Sequence, residues 1–325
     1  MDRWRGVLKV PLHLGSNCYY RVGVSLCLSS TSKCLSVPDA NLIFFNGDRV
    51  VGTGNPVIER LSDLQIIADI LVSKFGPSSN AWVIESSVFN GPFAVYRDFI
   101  PTVNGWGEPN SYDPSGFPGS SSSVSLLFNC LEEAKSAISR KGKEQFAHTD
   151  TRTSHHQPKT YILGFSKGGI ALNQLVTELG FSEAKPDTNE QPSCPKFPEV
   201  EQETQILPGT REDFLNSIRE IHYVDVGLNS AGAYITDQNV IELISKRFIQ
   251  GGAPGIRFVL HGTPRQWCDR DRTLIRIEKD KLLHLLQSES QRTEGRLQVC
   301  EKFYFGDRLP DLQMHFEIIE AMDVN

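Results

Sequence analysis

The stretch Thr160 to Leu175, TYILGFSKGGIALNQL, is an apolar run broken by Gly164-Phe165-Ser166-Lys167-Gly168 and resumed at once with helical spacing. Gly-x-Ser-x-Gly between a strand and a helix is the pattern of a nucleophile elbow, where the serine occupies a tight turn and its hydroxyl stands at the sheet edge. Gly164 and Gly168 flank Ser166 where a side chain would collide across such a turn, and Gly169 lets the helix lie close to the sheet. The helix opening at Lys167 points free N–H groups and a positive dipole end at the serine, which suits a developing oxyanion. Lys167 therefore enters as a backbone donor, its side-chain charge being incidental. The pentad alone is weak, since at ordinary glycine usage a chain of this length holds one by chance with a probability on the order of 0.1. The plain alternatives are a strand-helix turn without chemistry, or one that binds a phosphate at the helix end. Neither Gly-x-Gly-x-x-Gly nor the Gly-Lys-Ser/Thr of a P-loop is present.

A serine hydrolase of this kind needs an oxyanion loop after an earlier strand, an acid after a later one and a histidine near the C-terminal end. The segment FFNGD, Phe44 to Asp48, lies two strands before the elbow and offers the backbone of Asn46 and Gly47, unless it is an ordinary Asn-Gly turn. Four histidines follow the serine. His222 lies inside a strand, His284 on a charged helix, and His261 at a strand end where it would neighbour an active site. His315 follows the last strand by a loop and opens the last helix, the place of a general base. Asp269, just beyond the strand GIRFVLHG, is the first choice of acid. Asp225, ending the preceding strand, is the alternative, and Asp271, between Arg270 and Arg272, reads as a solvated ion pair. With this set His315 takes the Ser166 proton, the acid holds the imidazole tautomer, and backbone N–H groups of Lys167 and of Asn46 or Gly47 stabilise the oxyanion. The reaction is acyl transfer to water from a small or lipid-like ester, thioester or amide. The competing expectation, from a different class, is a catalytically silent fold that serves as a binding or regulatory partner.

The elements that must position these residues alternate. Short apolar runs at Asn41–Asn46, Ala81–Ser87, TYILG, IHYVDVG, GIRFVLHG and RLQVCEKFYF read as strands. Helical spacing runs from Val57 to Phe75 as one helix, from Val124 to Ser139, after the elbow, through ITDQNVIELISKRF, around Lys279 to Gln287, and near His315. The passage from Asn90 to Ser123 is rich in Gly, Pro, Asn and Ser and reads as a long loop of the kind that carries function. Alternation of this kind predicts an α/β fold, α/β-hydrolase-like, with a mostly parallel central sheet and helices on both faces. One domain spans residues 1–325, with flexible insertions at about 140–158 and 183–209, where polar residues replace core formers.

A formal charge of -6 and the absence of a long Lys/Arg block leave no basic surface for a phosphate backbone, so nucleic acid is excluded as a partner. No apolar run reaches the ~18 residues of a spanning helix, so no integral membrane association is expected. Seven cysteines without a Cys-x-x-Cys pair argue against a disulfide framework and a structural zinc, and neither cofactor nor metal is expected. Together with the lack of Asn-x-Ser/Thr sequons this suits a reducing compartment, cytoplasmic or mitochondrial. No secretory signal is apparent. The first 38 residues are serine-rich and acid-poor, a bias faintly like a transit peptide, yet LKVPLHL and YYRVGVSLCL read as opening strands. A protein partner stays open.

The chain also resembles a eukaryotic α/β-hydrolase-like family whose human member is a mitochondria-associated chromosome-two open reading frame product. The similarity rests on Leu163 to Gly168, Leu172 to Leu175 and Glu178-Leu179, with Gly47-Asp48, Trp82 to Ile84, Asp225 to Gly227, Thr263-Pro264, Gln266, Asp269 and His315-Phe316. It implies a serine-esterase-like fold and a mitochondrial link, sets Ser166, Asp269 and His315 on matching positions, and brings no substrate. Two departures stand out: the family pattern has a proline where this chain has Asn46 and a histidine where it has Leu228. The second favours His315 as the base.

Overall fold

The structure, a computed structural model, describes residues 2–13, 15, 16, 18–141, 157–183, 206–250 and 252–325. Both expected insertions fall mainly outside the described residues. Strands β1 (Asp2–Pro11) and β2 (Tyr19–Leu28) pair antiparallel and open the sheet. They are followed by β3 (Ala40–Phe45), α1 (Pro56–Leu61), α2 (Leu64–Phe75) and β4 (Ser79–Glu85). A small hairpin, β5 (Val88–Asn90) and β6 (Phe93–Val95), precedes α3 (Pro118–Lys141), β7 (Lys159–Phe165) and α4 (Gly169–Phe181). The rest comprises α5 (Arg211–Ser217), β8 (Ile218–Val224), α6 (Gln238–Ile249), β9 (Ile256–Gly262), α7 (Pro264–Trp267), α8 (Thr273–Arg292), β10 (Leu297–Phe303) and α9 (Leu312–Ala321).

Eight strands form one sheet in the order β1-β2-β4-β3-β7-β8-β9-β10, parallel from β4 through β10 and antiparallel at β1 and β2. Strand alternation explains the two cores. Leu42 and Phe44 point to one face with α1, α2 and α9, while Ile43 and Phe45 point to the other with α3, α4, α6 and α8. Because both faces are covered, the central strands β3, β4 and β7 are buried along most of their length, as the middle of a parallel sheet requires. The fold is α/β-hydrolase-like, with the elbow at the C-terminal end of a central strand. No helix among the described residues is long and apolar enough to cross a membrane.

Three local expectations need correction. The helix read from Val57 to Phe75 is two, because Asp63 turns its carboxylate onto the N–H groups of Gln65 (2.8 Å) and Ile66 (3.0 Å) and restarts the helix as a cap. The helix read from Val124 begins at Pro118 instead. Its first turn is seated on the buried Glu178 carboxylate of α4, which accepts from Gly119 N (2.7 Å), Ser120 N (2.8 Å) and Ser120 Oγ (2.6 Å). A cap supplied by a different helix leaves no periodicity to read. Finally, the loop read from Asn90 begins inside the β5–β6 hairpin, at the last residue of β5, and includes β6.

Candidate active site

Parallel pairing of β3 with β7 sets Phe45 opposite Gly164, so the segment after β3 runs beside the turn after β7. Ser166 has φ +53 and is followed by a single 3-10 turn into α4. A left-handed conformation at a non-glycine residue is held only when its surroundings over-determine it. Here a Cβ on Gly168 would stand 2.0 Å from the Phe45 carbonyl oxygen, and one on Gly47 would stand 2.6 Å from Ser166 Cβ. The elbow and the Asn46–Asp48 loop therefore meet at backbone distance, and both glycines are required for close approach.

His315, in the first turns of α9, is 5% exposed and lies flat on Phe165, with ring centroids 4.7 Å apart. Its Nδ1 pairs at 2.6 Å with Oδ2 of Asp225. With that proton on Nδ1, the ring donates to the carboxylate and leaves Nε2 as the basic nitrogen. Asp225 follows β8, has φ +45 and is fully buried. Its backbone N–H donates to the His261 carbonyl (2.8 Å), while its carboxylate accepts from Thr263 N (2.8 Å) and Thr263 Oγ1 (3.0 Å). His315 Nε2 makes no hydrogen bond with Ser166 Oγ in this structure; such bonds often tighten only around a bound substrate.

The structure brings Asp225, and not Asp269, to His315. Asp269 accepts from Asp271 N (3.0 Å) and caps the Arg270–Arg272 turn at a partly exposed position, whereas Asp225 holds His315. The Asn46 N–H, an expected oxyanion donor, donates to the Ile84 carbonyl (2.9 Å). The backbone N–H groups of Gly47 and Lys167 are the candidates that stay. His222 and His261 lie off the site in a buried chain: His222 Nε2 pairs with Glu220 (2.8 Å), His222 Nδ1 with His261 Nε2 (3.0 Å), and His261 Nδ1 with Tyr304 Oη (3.0 Å).

The Lys167 side chain is not incidental. It is 2% exposed, donates from Nζ to the Trp106 carbonyl (2.8 Å), stands 4.5 Å from the Phe93 ring centroid and 3.9 Å from Asp48 Oδ1. Burial pulls its ammonium below the usual lysine range against the charges of Asp48 and Glu108. Burial likewise pushes the Asp48 carboxyl up, opposed by Lys167 and by the Ala94 N–H (2.7 Å). Sequence reading missed this because the partners lie about 60 to 120 residues before Lys167 in no periodic pattern. Lys167→Met is expected to lower unfolding free energy by about 1.5–3 kcal/mol, the worth of a charge-assisted hydrogen bond. Urea unfolding checks this, and a variant within about 0.5 kcal/mol of wild type would remove the anchoring role.

A family model described as C2orf69 matches residues 119–290. The human mitochondrial protein C2orf69 is similar at 26% identity, over 87% of this chain and 74% of its own. Its mouse homolog is 25% identical over 79% and 69%. Among solved structures, the siderophore hydrolase EstA from Aspergillus nidulans aligns with a TM-score of 0.45 at 12% identity, covering 98% of this chain and 92% of that one. MGS-M1, an alpha/beta hydrolase enzyme from a Medee basin deep-sea metagenome library, aligns at 0.42 and 12%, covering 98% and 88%.

Proposed function

The chain belongs to the C2orf69 family, and we propose that it is a serine hydrolase moving an acyl group from an ester or thioester to water. Ser166 is the nucleophile, His315 the base and Asp225 the acid behind it. One observation carries the reading: Ser166, held at φ +53, follows directly on Phe165, whose ring stacks on the imidazole that pairs at 2.6 Å with buried Asp225.

In the first half-reaction Ser166 Oγ attacks the acyl carbon and its proton passes to His315 Nε2. The tetrahedral oxyanion faces the N–H groups of Gly47 and Lys167. The leaving alcohol or thiol departs with the proton from the imidazolium, whose charge Asp225 balances. Water repeats the sequence on the acyl-serine, and the acid product leaves. The names of the curated relatives support a mitochondrial location for this chain.

A second reading is a catalytically silent fold acting as a binding partner. Fluorophosphonate labelling separates the two. Wild type is expected to label at Ser166, Ser166→Ala not at all, and His315→Ala at least about 10³-fold more slowly. No labelling of wild type, under conditions where other serine hydrolases react, rejects the enzyme.

A further inference from the structure

The segment between β6 and α3 is tied down on both sides of the elbow. Gly107, at φ +73, packs where a Cβ would lie 2.5 Å from the Ala94 carbonyl. The buried Glu108 carboxylate accepts from Asn229 N (2.9 Å), and Tyr112 Oη donates to the Gly232 carbonyl (2.5 Å). Trp106 sits at the tip. Its N–H donates to Asn104 Oδ1 (2.9 Å), and its carbonyl accepts from Nζ of Lys167, the residue after the nucleophile. Its backbone is fixed at both ends, yet the residue is 58% exposed, its ring touching Phe93 edge-on with centroids 5.7 Å apart. Phe93 in turn covers the Lys167 ammonium. Lys167, joined to Ser166 by a peptide bond, thus contacts both Trp106 and Phe93.

A large aromatic left in solvent on an over-determined turn does nothing for the core, and it is pre-organised for contact with something else. Two further exposed apolar side chains lie close in sequence to Gly47 and His315. Val51, 76% exposed, is on the segment leaving Gly47, and Leu309, 86% exposed, is on the segment entering α9. Asn55 Nδ2 donates to Gln313 Oε1 (2.9 Å) and joins those two segments.

We propose that Trp106, backed by Phe93, is the platform for an apolar acyl chain whose carbonyl carbon is presented to Ser166, so that the substrates are esters or thioesters of medium to long aliphatic acids. This rests on the serine-hydrolase reading above. The occupant is the acyl chain because the platform is anchored on the residue that follows the nucleophile: the Trp106 carbonyl accepts from Lys167 Nζ, and the Phe93 ring covers that ammonium. The Lys167 ammonium that Phe93 covers is matched by Asp48 Oδ1 at 3.9 Å.

Two measurements test it. The first needs no turnover: in Ser166→Ala protein, methyl octanoate is expected to shield tryptophan emission from acrylamide and methyl acetate to leave it open. Trp82 and Trp267 are buried and Trp4 is half-buried, so Trp106 is the most exposed of the four, and Trp106→Phe in the same background identifies its share of the quenchable emission. The second compares p-nitrophenyl octanoate with acetate. Wild type should prefer octanoate in kcat/KM by about tenfold or more, and Trp106→Ser should erase most of that ratio. Unchanged quenching with octanoate, or a ratio that Trp106→Ser does not move, overturns the platform. If no ester is hydrolysed but octanoate still shields Trp106, the platform stands and the hydrolase reading falls.

Discussion

Asp225→Asn is expected to slow fluorophosphonate labelling of Ser166 by about 10³–10⁴-fold, roughly 4–5.5 kcal/mol of barrier, whereas Asp269→Asn leaves the rate within about twofold. The difference comes from what each carboxylate faces. Asp225 Oδ2 accepts the proton on His315 Nδ1 at 2.6 Å, and Thr263 fixes its orientation through two further bonds. An amide there can offer an N–H to Nδ1, which then keeps the imidazole proton on Nε2 and removes the base. The substitution isolates this effect because asparagine tolerates the left-handed backbone found at φ +45 as readily as aspartate. Asp269 only caps a short exposed turn. Labelling rates of the two variants decide the matter: a dead Asp269→Asn beside a live Asp225→Asn would return the acid to the end of β9.

The contrast shows what a linear reading reaches. Ser166 and His315 are marked by local pattern, one by a pentad between strand and helix, the other by its place after the last strand. The carboxylate that pairs with His315 is not, because Asp225 and Asp269 both follow strands, and the choice depends on register. Pairing of β8 with β9 sets Val224 against His261, and the Asp225 N–H then closes on the His261 carbonyl and aims the carboxylate at Thr263 and His315. The positive φ at Asp225 has no signature in residue type. Asn46 is similar, since an Asn-Gly pair says nothing about which N–H is already taken by Ile84. Lysine is the hardest case: a residue that belongs on surfaces is buried here because a carbonyl, an aromatic face and a carboxylate from distant segments surround it. The strand-helix alternation, by contrast, depends on burial on both sheet faces, and that is written directly in the apolar runs.

The buried histidine chain behind the sheet edge sets the second large effect. Glu220, His222, His261 and Tyr304 form a line in which each ring nitrogen has one partner. A neutral arrangement satisfies all of it: the Asp323 N–H donates to Tyr304 Oη (3.0 Å), Tyr304 to His261 Nδ1, His261 Nε2–H to His222 Nδ1, and His222 Nε2–H to Glu220. Burial drives the His261 pKa well below the ordinary histidine value, helped by His222 and by the charges of Lys302, Arg257 and Lys74. Burial also lowers that of His222, though Glu220 opposes it. The sign follows from linkage. Folded protein keeps these rings neutral where the unfolded chain protonates them, so their contribution is present above about pH 6.5 and is lost as pH falls below it. Each proton excluded removes up to about 1.4 kcal/mol of stability per pH unit. Urea unfolding between about pH 7.5 and 5.5 should therefore show stability falling on the acid side, with a shallower fall in His261→Gln, which keeps polar atoms for its neighbours. Glu178 bends the curve the other way, because burial raises its carboxyl above the usual range and favours the folded state as pH falls. That opposing slope belongs to both proteins alike, so the difference between them isolates His261. Parallel curves for wild type and His261→Gln would mean that this ring is protonated equally in the folded and unfolded chain, and that the line from Glu220 to Tyr304 carries a charge instead of excluding one.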